Sequence, residues 1–209
     1  MGILRTKRIG VMGGTFDPIH HGHMVTAEEA WKQFGLDQVL FVPSGHPPHK
    51  EERKSLDAEQ RYLMAVIATA TNPHFIVSRM EIERPGPSYT IDTVEQLHHK
   101  YGRNTDVFFI TGADAILEIL TWKEPERILE ECTFIAATRP GYDLARLEDS
   151  LPEAEKTRHA SDPKVLVMEI PALAISSTDI RRRVSEGRPI RYLVPEGVAE
   201  FIEKNGLYT

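Results

Sequence analysis

The 209-residue sequence contains a single cysteine, Cys132, so neither an intramolecular disulfide nor a cysteine-based zinc centre can form. A reducing, cytoplasmic setting fits that scarcity. Long hydrophobic runs are also missing, since no apolar stretch approaches the roughly 18 residues needed to span a bilayer. Arg5, Lys7 and Arg8 make a basic start, but the apolar run from Ile9 ends at Gly13-Gly14, so no export signal is expected. Positive charge is in deficit. The balance of 25 Lys and Arg against 31 Asp and Glu leaves −6, which argues against broad binding to nucleic acid, where affinity comes from neutralising phosphates. Any phosphate recognition is therefore expected to be local. Internal repeats and low-complexity segments are absent.

What remains is the composition of an ordinary globular chain, 41% hydrophobic and 27% charged. Its length suits one α/β domain spanning residues 1–209. Arg8 to Met12 reads as a strand, Gly13-Gly14 as a turn, His21 to Phe34 as a helix closed by Gly35, and Gln38 to Val42 as a second buried strand. Asp57 and Gln60 suggest a capping box opening a helix that runs to about Ala70. Further strands are expected over Phe75 to Met80, Asp106 to Ile110, Thr133 to Ala137 and Lys164 to Ile170. Helices are expected over Thr90 to Tyr101, Ala113 to Leu120, Pro125 to Glu131, from the turn Ser176-Ser177-Thr178-Asp179 through Arg183 to a stop at Gly187, and over Pro195 to just before Gly206, with a surface helix and loops within Tyr142 to Ser161. Such alternation predicts a Rossmann-like, doubly wound parallel sheet with helices on both faces, whose ligands bind beyond the carboxyl ends of the strands.

The segment Gly13-Gly14-Thr15-Phe16-Asp17-Pro18-Ile19-His20-His21-Gly22-His23 falls at that edge. Glycines let a backbone approach a polyanion, and the unpaired N–H groups of the following helix favour phosphate. The pattern is neither Gly-x-Gly-x-x-Gly nor a P-loop. His20 and His23 are three residues apart and can share one side of a helical turn, with Gly22 leaving room between them. Beside a triphosphate their pKa values should rise, making cationic donors. A capping or solvated histidine cluster and a metal site are the competing readings. Asp17 reads as a turn device rather than a base. A second strand-to-helix junction, Ile175-Ser176-Ser177-Thr178-Asp179-Ile180-Arg181, offers hydroxyls, N–H groups and an arginine. It is either a helix cap with a solvated basic face or the far side of a triphosphate clamp.

Together these segments resemble the nucleotidyltransferase superfamily defined by His-x-Gly-His and Ile-Ser-Ser-Thr-x-x-Arg motifs, and more closely the bacterial nicotinate-nucleotide adenylyltransferases. Pro47-Pro48-His49-Lys50, Ser88-Tyr89-Thr90, Gly112-Ala113-Asp114, Thr121-Trp122-Lys123 and Arg139-Pro140-Gly141 carry the closer likeness. The resemblance implies adenylyl transfer from ATP, with Mg²⁺, to nicotinate mononucleotide, giving deamido-NAD and pyrophosphate. On that basis His20, His23, Lys50 and Arg181 would act on the phosphates, with Gly13, Gly14, Thr15, Phe16, Gly112, Asp114, Ser177 and Thr178 binding ATP. Thr90, Trp122, Lys123 and Arg139 would bind nicotinate mononucleotide, Trp122 stacking on the pyridine ring and Thr90 meeting its carboxylate. Read without the resemblance, Trp122 could be core, Thr90 a helix cap and Lys50 part of a plain surface loop. Phosphopantetheine adenylyltransferase, a non-catalytic nucleotide-binding regulator and a His-rich metal-binding module are the alternatives. No nucleic-acid or membrane partner is implied, and a homo-oligomer is compatible with the sequence.

Overall fold

In strand β1 (Arg8–Gly14), Ile9 and Val11 face one side of a sheet and Met12 the other, the period-two alternation of a pleated strand. The computed structural model describes residues 6–47, 55–141, 163–171 and 173–209, so the helix expected within Tyr142 to Ser161 lies outside the described residues. After β1 come α1 (His21–Gln33), β2 (Gln38–Pro43), α2 (Ala58–Thr69), β3 (Phe75–Val77), α3 (Met80–Glu83) and α4 (Thr90–Tyr101). Then follow β4 (Asp106–Gly112), α5 (Ala113–Ile116), α6 (Pro125–Glu131), β5 (Thr133–Thr138), β6 (Val165–Glu169), α7 (Ser177–Ser185) and α8 (Glu196–Lys204).

The sheet order is β3-β2-β1-β4-β5-β6 with every neighbouring pair parallel, which is the Rossmann order. Both faces are covered. Ala27 and Ala30 of α1, Met64 and Ala65 of α2, and Ile180 and Ile202 of α7 and α8 share one core with Met12, Phe41 and Ile110. Ile91, Val94 and Leu97 of α4, Ile116 of α5 and Ile128 of α6 share the other with Val11, Leu40 and Phe134. Burial on both sides explains why the strands read as nearly continuous apolar runs. The strand order reverses between β1 and β4, and the crevice beyond that point is where such sheets bind ligands. Gly14 ends β1 and Gly112 ends β4 at that crevice.

Three expectations are corrected. β3 stops at Val77, because the Ser78 hydroxyl accepts the N–H of Met80 at 3.3 Å and the chain turns into α3. The helix expected over Ala113 to Leu120 divides into α5 and a 3-10 turn at Ile119–Thr121, where the N–H of Glu118 bonds the Ala115 carbonyl three residues back. Asp57 does occupy the N-cap position of α2, but its side chain makes no capping bond. Among the described residues no helix is long and apolar enough to cross a membrane.

Candidate active site

A cleft of about 440 Å³ opens at the carboxyl ends of β1, β4, β5 and β6, with Gly13, His20, His23, Gly112, Asp114 and Arg139 on its walls. Gly13 is glycine for a steric reason. A Cβ there would stand 3.0 Å from the Phe109 ring. At Gly22 a Cβ would stand 3.0 Å from Cε1 and Nδ1 of His20, so any larger residue in the first turn of α1 would press on that ring.

The two imidazoles stack, with centroids 3.8 Å apart and planes 24° from parallel. Nδ1 of His23 accepts the main-chain N–H of His20 at 3.2 Å. That bond puts the proton of a neutral His23 ring on Nε2. Phe16 sets the tilt of His23, its ring meeting His23 edge to face at a centroid distance of 5.1 Å. Its own side chain is buried and its backbone adopts φ 51°. The Phe16 ring is therefore committed to the core and to His23.

The protein's own surroundings push both histidines toward the neutral form. Burial, helped by the charge of His21 against a weaker opposing backbone bond, lowers His20 to about 4. Burial and the charge of His20 lower His23 well below the usual imidazole range. The protein alone thus holds the pair neutral, and positive charge on it has to be drawn out by a polyanion alongside, which is the condition attached to the expectation of cationic donors. Two stacked rings also repel when both are charged, which favours no more than one proton in excess.

The second motif closes directly on the first. Arg181 Nη1 donates to the Asp17 carbonyl at 2.6 Å, Arg181 Nη2 donates to the Thr178 hydroxyl at 3.2 Å, and the Ser177 hydroxyl donates to the Pro18 carbonyl at 2.9 Å. The proton of Ser177 is therefore committed within the protein. Its main-chain N–H and that of Thr178 open α7, where N–H groups have no acceptor within the helix. Ser176 caps that helix, its hydroxyl accepting the N–H of Asp179 at 3.2 Å. Asp179 in turn binds Arg182 and Arg183 at 2.5 and 2.6 Å, so these two arginines form the structural basic face and Arg181 alone turns to the loop.

Asp17 is buried, and its carboxylate accepts the Tyr208 hydroxyl at 2.7 Å while lying 3.9 Å from Arg181. Burial and that bond raise the Tyr208 pKa, keeping it a hydrogen donor. This supports the structural reading of Asp17.

Thr90, Trp122 and Lys123 gather in a second region behind Gly13. Trp122 is half-buried, its edge on Phe109 and Phe134 at centroid distances of 6.3 and 6.0 Å, and Phe109 is the ring that faces Gly13. Thr90 opens α4 one position after its N-cap, Tyr89, so it is not the cap. Lys123 bonds Asp92 at 2.9 Å and lies 4.8 Å from the Tyr89 ring centre, which joins the Trp122 loop to the start of α4. Arg139 does not join this group. It lies in the cleft with His20 and Asp114. Lys50 lies outside the described residues.

Two contributors, one half-buried and one fully buried, were not picked out from the sequence. One is Tyr208, whose partner is far away in the chain. The other is Arg61, fully buried on the inner stripe of α2 with Met64, Ala65 and Ala68. A charged residue at a core position of an otherwise apolar stripe was the available signal.

A family model described as cytidylyltransferase-like matches residues 11–183, which includes both motifs and every strand but the first three residues of β1. A probable nicotinate-nucleotide adenylyltransferase of Moorella thermoacetica is 57% identical over 207 residues, covering 99% of this chain and 94% of that protein. The chain belongs to the nicotinate-nucleotide adenylyltransferase family. A second member, from a Thermoanaerobacter species, is 53% identical over 204 residues, covering 98% and 95%. In the solved structure of Plasmodium falciparum nicotinic acid mononucleotide adenylyltransferase complexed with NaAD, 97% of each chain superposes with a TM-score of 0.76 at 22% identity, which confirms the fold. Membership makes the chain a nucleotidyltransferase of NAD biosynthesis.

Proposed function

We infer that the chain transfers the adenylyl group of ATP to nicotinate mononucleotide, giving deamido-NAD and pyrophosphate, with His20 and His23 as the donors at the phosphates. The orientation of His23 supports this most directly. With Nδ1 held by the His20 main chain, Nε2–H is its remaining polar group, carried on a ring that lines the cleft.

An oxygen of the acceptor's 5′-phosphate attacks the α-phosphorus in line, the bond from that phosphorus to the bridging oxygen breaks, and pyrophosphate carries away the electron pair. The attacking group is already ionised, so no base is required and no covalent enzyme intermediate forms. The protein's part is alignment and the stabilisation of charge on non-bridging oxygens and the leaving group. As negative charge accumulates beside them, neutral His20 and His23 make stronger N–H hydrogen bonds to it and take up a proton more readily. The main-chain N–H groups at the start of α7 and the unused donors of Arg181 complete the cradle from the other side, and Lys50 adds a cation from the loop after β2. Asp114 and Gly112 at the end of β4 flank the nucleotide. Nucleotidyl transfer uses a divalent metal with ATP, and Mg²⁺ fits as an ion carried in on the phosphates with waters retained. Among the described residues no group of three or more His, Cys, Asp or Glu side chains forms a metal site.

The acceptor's ring and carboxylate go to Trp122, Lys123 and Thr90, where the first N–H groups of α4 suit an anion. Arg139, being in the cleft beside Asp114, suits the phosphate or ribose end of the acceptor better than its ring. The deciding experiment follows pyrophosphate release with ATP and either nicotinate or nicotinamide mononucleotide. A clear preference for the acid is expected. Equal rates would refute acid selectivity, and no release with either would refute the assignment.

A further inference from the structure

We propose that Arg61 and Ser88 are positioning residues, two ends of one hydrogen-bonded strut that fixes the distance between the phosphate loop and the start of α4. The inference rests on the reading of those two regions as donor and acceptor subsites.

The guanidinium of Arg61 is 1% exposed and pairs with no carboxylate among the described residues. All three of its bonded nitrogens donate to main-chain carbonyls. Nε donates to Leu56 at 3.0 Å, Nη1 to Thr15 at 2.7 Å and Nη2 to Ser44 at 2.7 Å. Thr15 belongs to the phosphate loop and Ser44 follows β2, so the rigid planar fork sets the spacing of two separate segments. A methionine could fill the same stripe without the desolvation cost of a buried cation. What arginine adds is geometry.

The strut continues from Ser44. Its N–H donates to the Gly14 carbonyl at 2.9 Å, locking the two loops edge to edge. The N–H groups of Gly45 and His46 both donate to the Ser88 hydroxyl at 3.1 Å, and the Ser88 N–H donates to the His46 carbonyl at 2.8 Å. There is no slack in this segment, because a Cβ at Gly45 would stand 2.2 Å from the Glu81 carbonyl oxygen. Two residues beyond Ser88, Thr90 begins α4. A continuous path thus runs from Thr15 through Arg61, Ser44 and Ser88 to the place proposed for the acceptor's carboxylate. In-line transfer between two bound anions is steeply sensitive to their separation, with a misplacement of about 1 Å costing on the order of a hundredfold. Neither residue has to touch a substrate to exert this control.

The test uses Ser88→Ala, Arg61→Lys and the double variant in the full chain. Calorimetry measures the affinity for ATP and for nicotinate mononucleotide separately, and steady-state kinetics measures kcat below each variant's thermal midpoint. Ser88 is half-buried, so Ser88→Ala is expected to fold even if Arg61→Lys does not. For Ser88→Ala, kcat per binding-competent molecule, counted by the calorimetric stoichiometry so that loss of folded protein is removed, should fall by about tenfold or more while each Kd stays within about threefold. The double variant should lose less than the product of the single losses, because both cuts break one strut. Wild-type kcat in Ser88→Ala, or a loss appearing wholly in one Kd, would overturn the proposal while leaving the assigned reaction standing. A wild-type protein that transfers no AMP to nicotinate mononucleotide would overturn both.

Discussion

Nδ1 of His23 accepts the main-chain N–H of His20 across the opening turn of α1, so the backbone itself selects which nitrogen of His23 carries the proton. Ring orientation and helix initiation are thereby a single interaction. His23→Ala should lower kcat/KM by about a hundredfold or more, the scale of losing a preorganised donor at developing charge. His23→Asn should recover part of that loss if its amide can both accept from His20 and donate toward the cleft. Pyrophosphate release and the thermal midpoint, measured on the same samples, separate the effects. Near-wild-type turnover in His23→Ala would remove the central role given to this ring.

His20 makes a prediction about acid. Its folded value lies near 4, below the ordinary 6.5. The unfolded chain therefore takes up the proton first, so the neutral ring's contribution is complete above about pH 6.5 and is lost as pH falls through 4. The loss attributable to this group is on the order of 3 kcal/mol at the lower end. Urea unfolding of wild type and His20→Asn between pH 7 and pH 4 should show the variant with the shallower decline. Parallel slopes would show that burial of His20 is not what sensitises the fold to acid.

Tyr208→Phe removes the hydroxyl that satisfies buried Asp17. Leaving a buried carboxylate oxygen short of a donor should cost about 1–3 kcal/mol, read as a lowered urea midpoint at unchanged m-value. An unshifted midpoint would mean that Arg181 or water compensates fully.

The chain has two tryptophans, and Trp31 is stacked on His74 at 4.0 Å, away from the region proposed for the acceptor. In a Trp31→Phe background, nicotinate mononucleotide should quench the remaining emission by stacking on Trp122, and ATP should quench it less. Trp122→Ala should raise KM for the mononucleotide about tenfold with little change in KM for ATP, in line with the worth of an aromatic contact. Emission blind to the mononucleotide would return Trp122 to a purely structural role.

The parts legible in the sequence are those encoded by local pattern. The apolar runs from Ile9 and Val39 announced buried parallel strands, Gly13-Gly14 marked the strand end where the cleft opens, and the spacing of His20 and His23 put both rings on one turn. Contacts between distant segments were not legible. The Ser177 hydroxyl reads as a phosphate donor until Pro18, 159 residues earlier, is found accepting its proton. Arg61 reads as one more charged residue on a helix until Thr15, 46 residues earlier, is found beneath it. The neutral resting state of the two histidines was not legible for a related reason, since burial depends on what the whole fold stacks around the ring and not on its neighbours in sequence.

The Asp17–Tyr208 bond joins residues 191 positions apart. Contacts of such separation are closed late, after the sheet and its flanking helices have collapsed. A chain emerging residue by residue can therefore assemble β1 through β5 and still lack the strap that seats Asp17 under the phosphate loop. Folding and activation should then be separate events in time, with sheet formation seen first by far-UV circular dichroism and competence to release pyrophosphate arriving only when the segment carrying Tyr208 has docked.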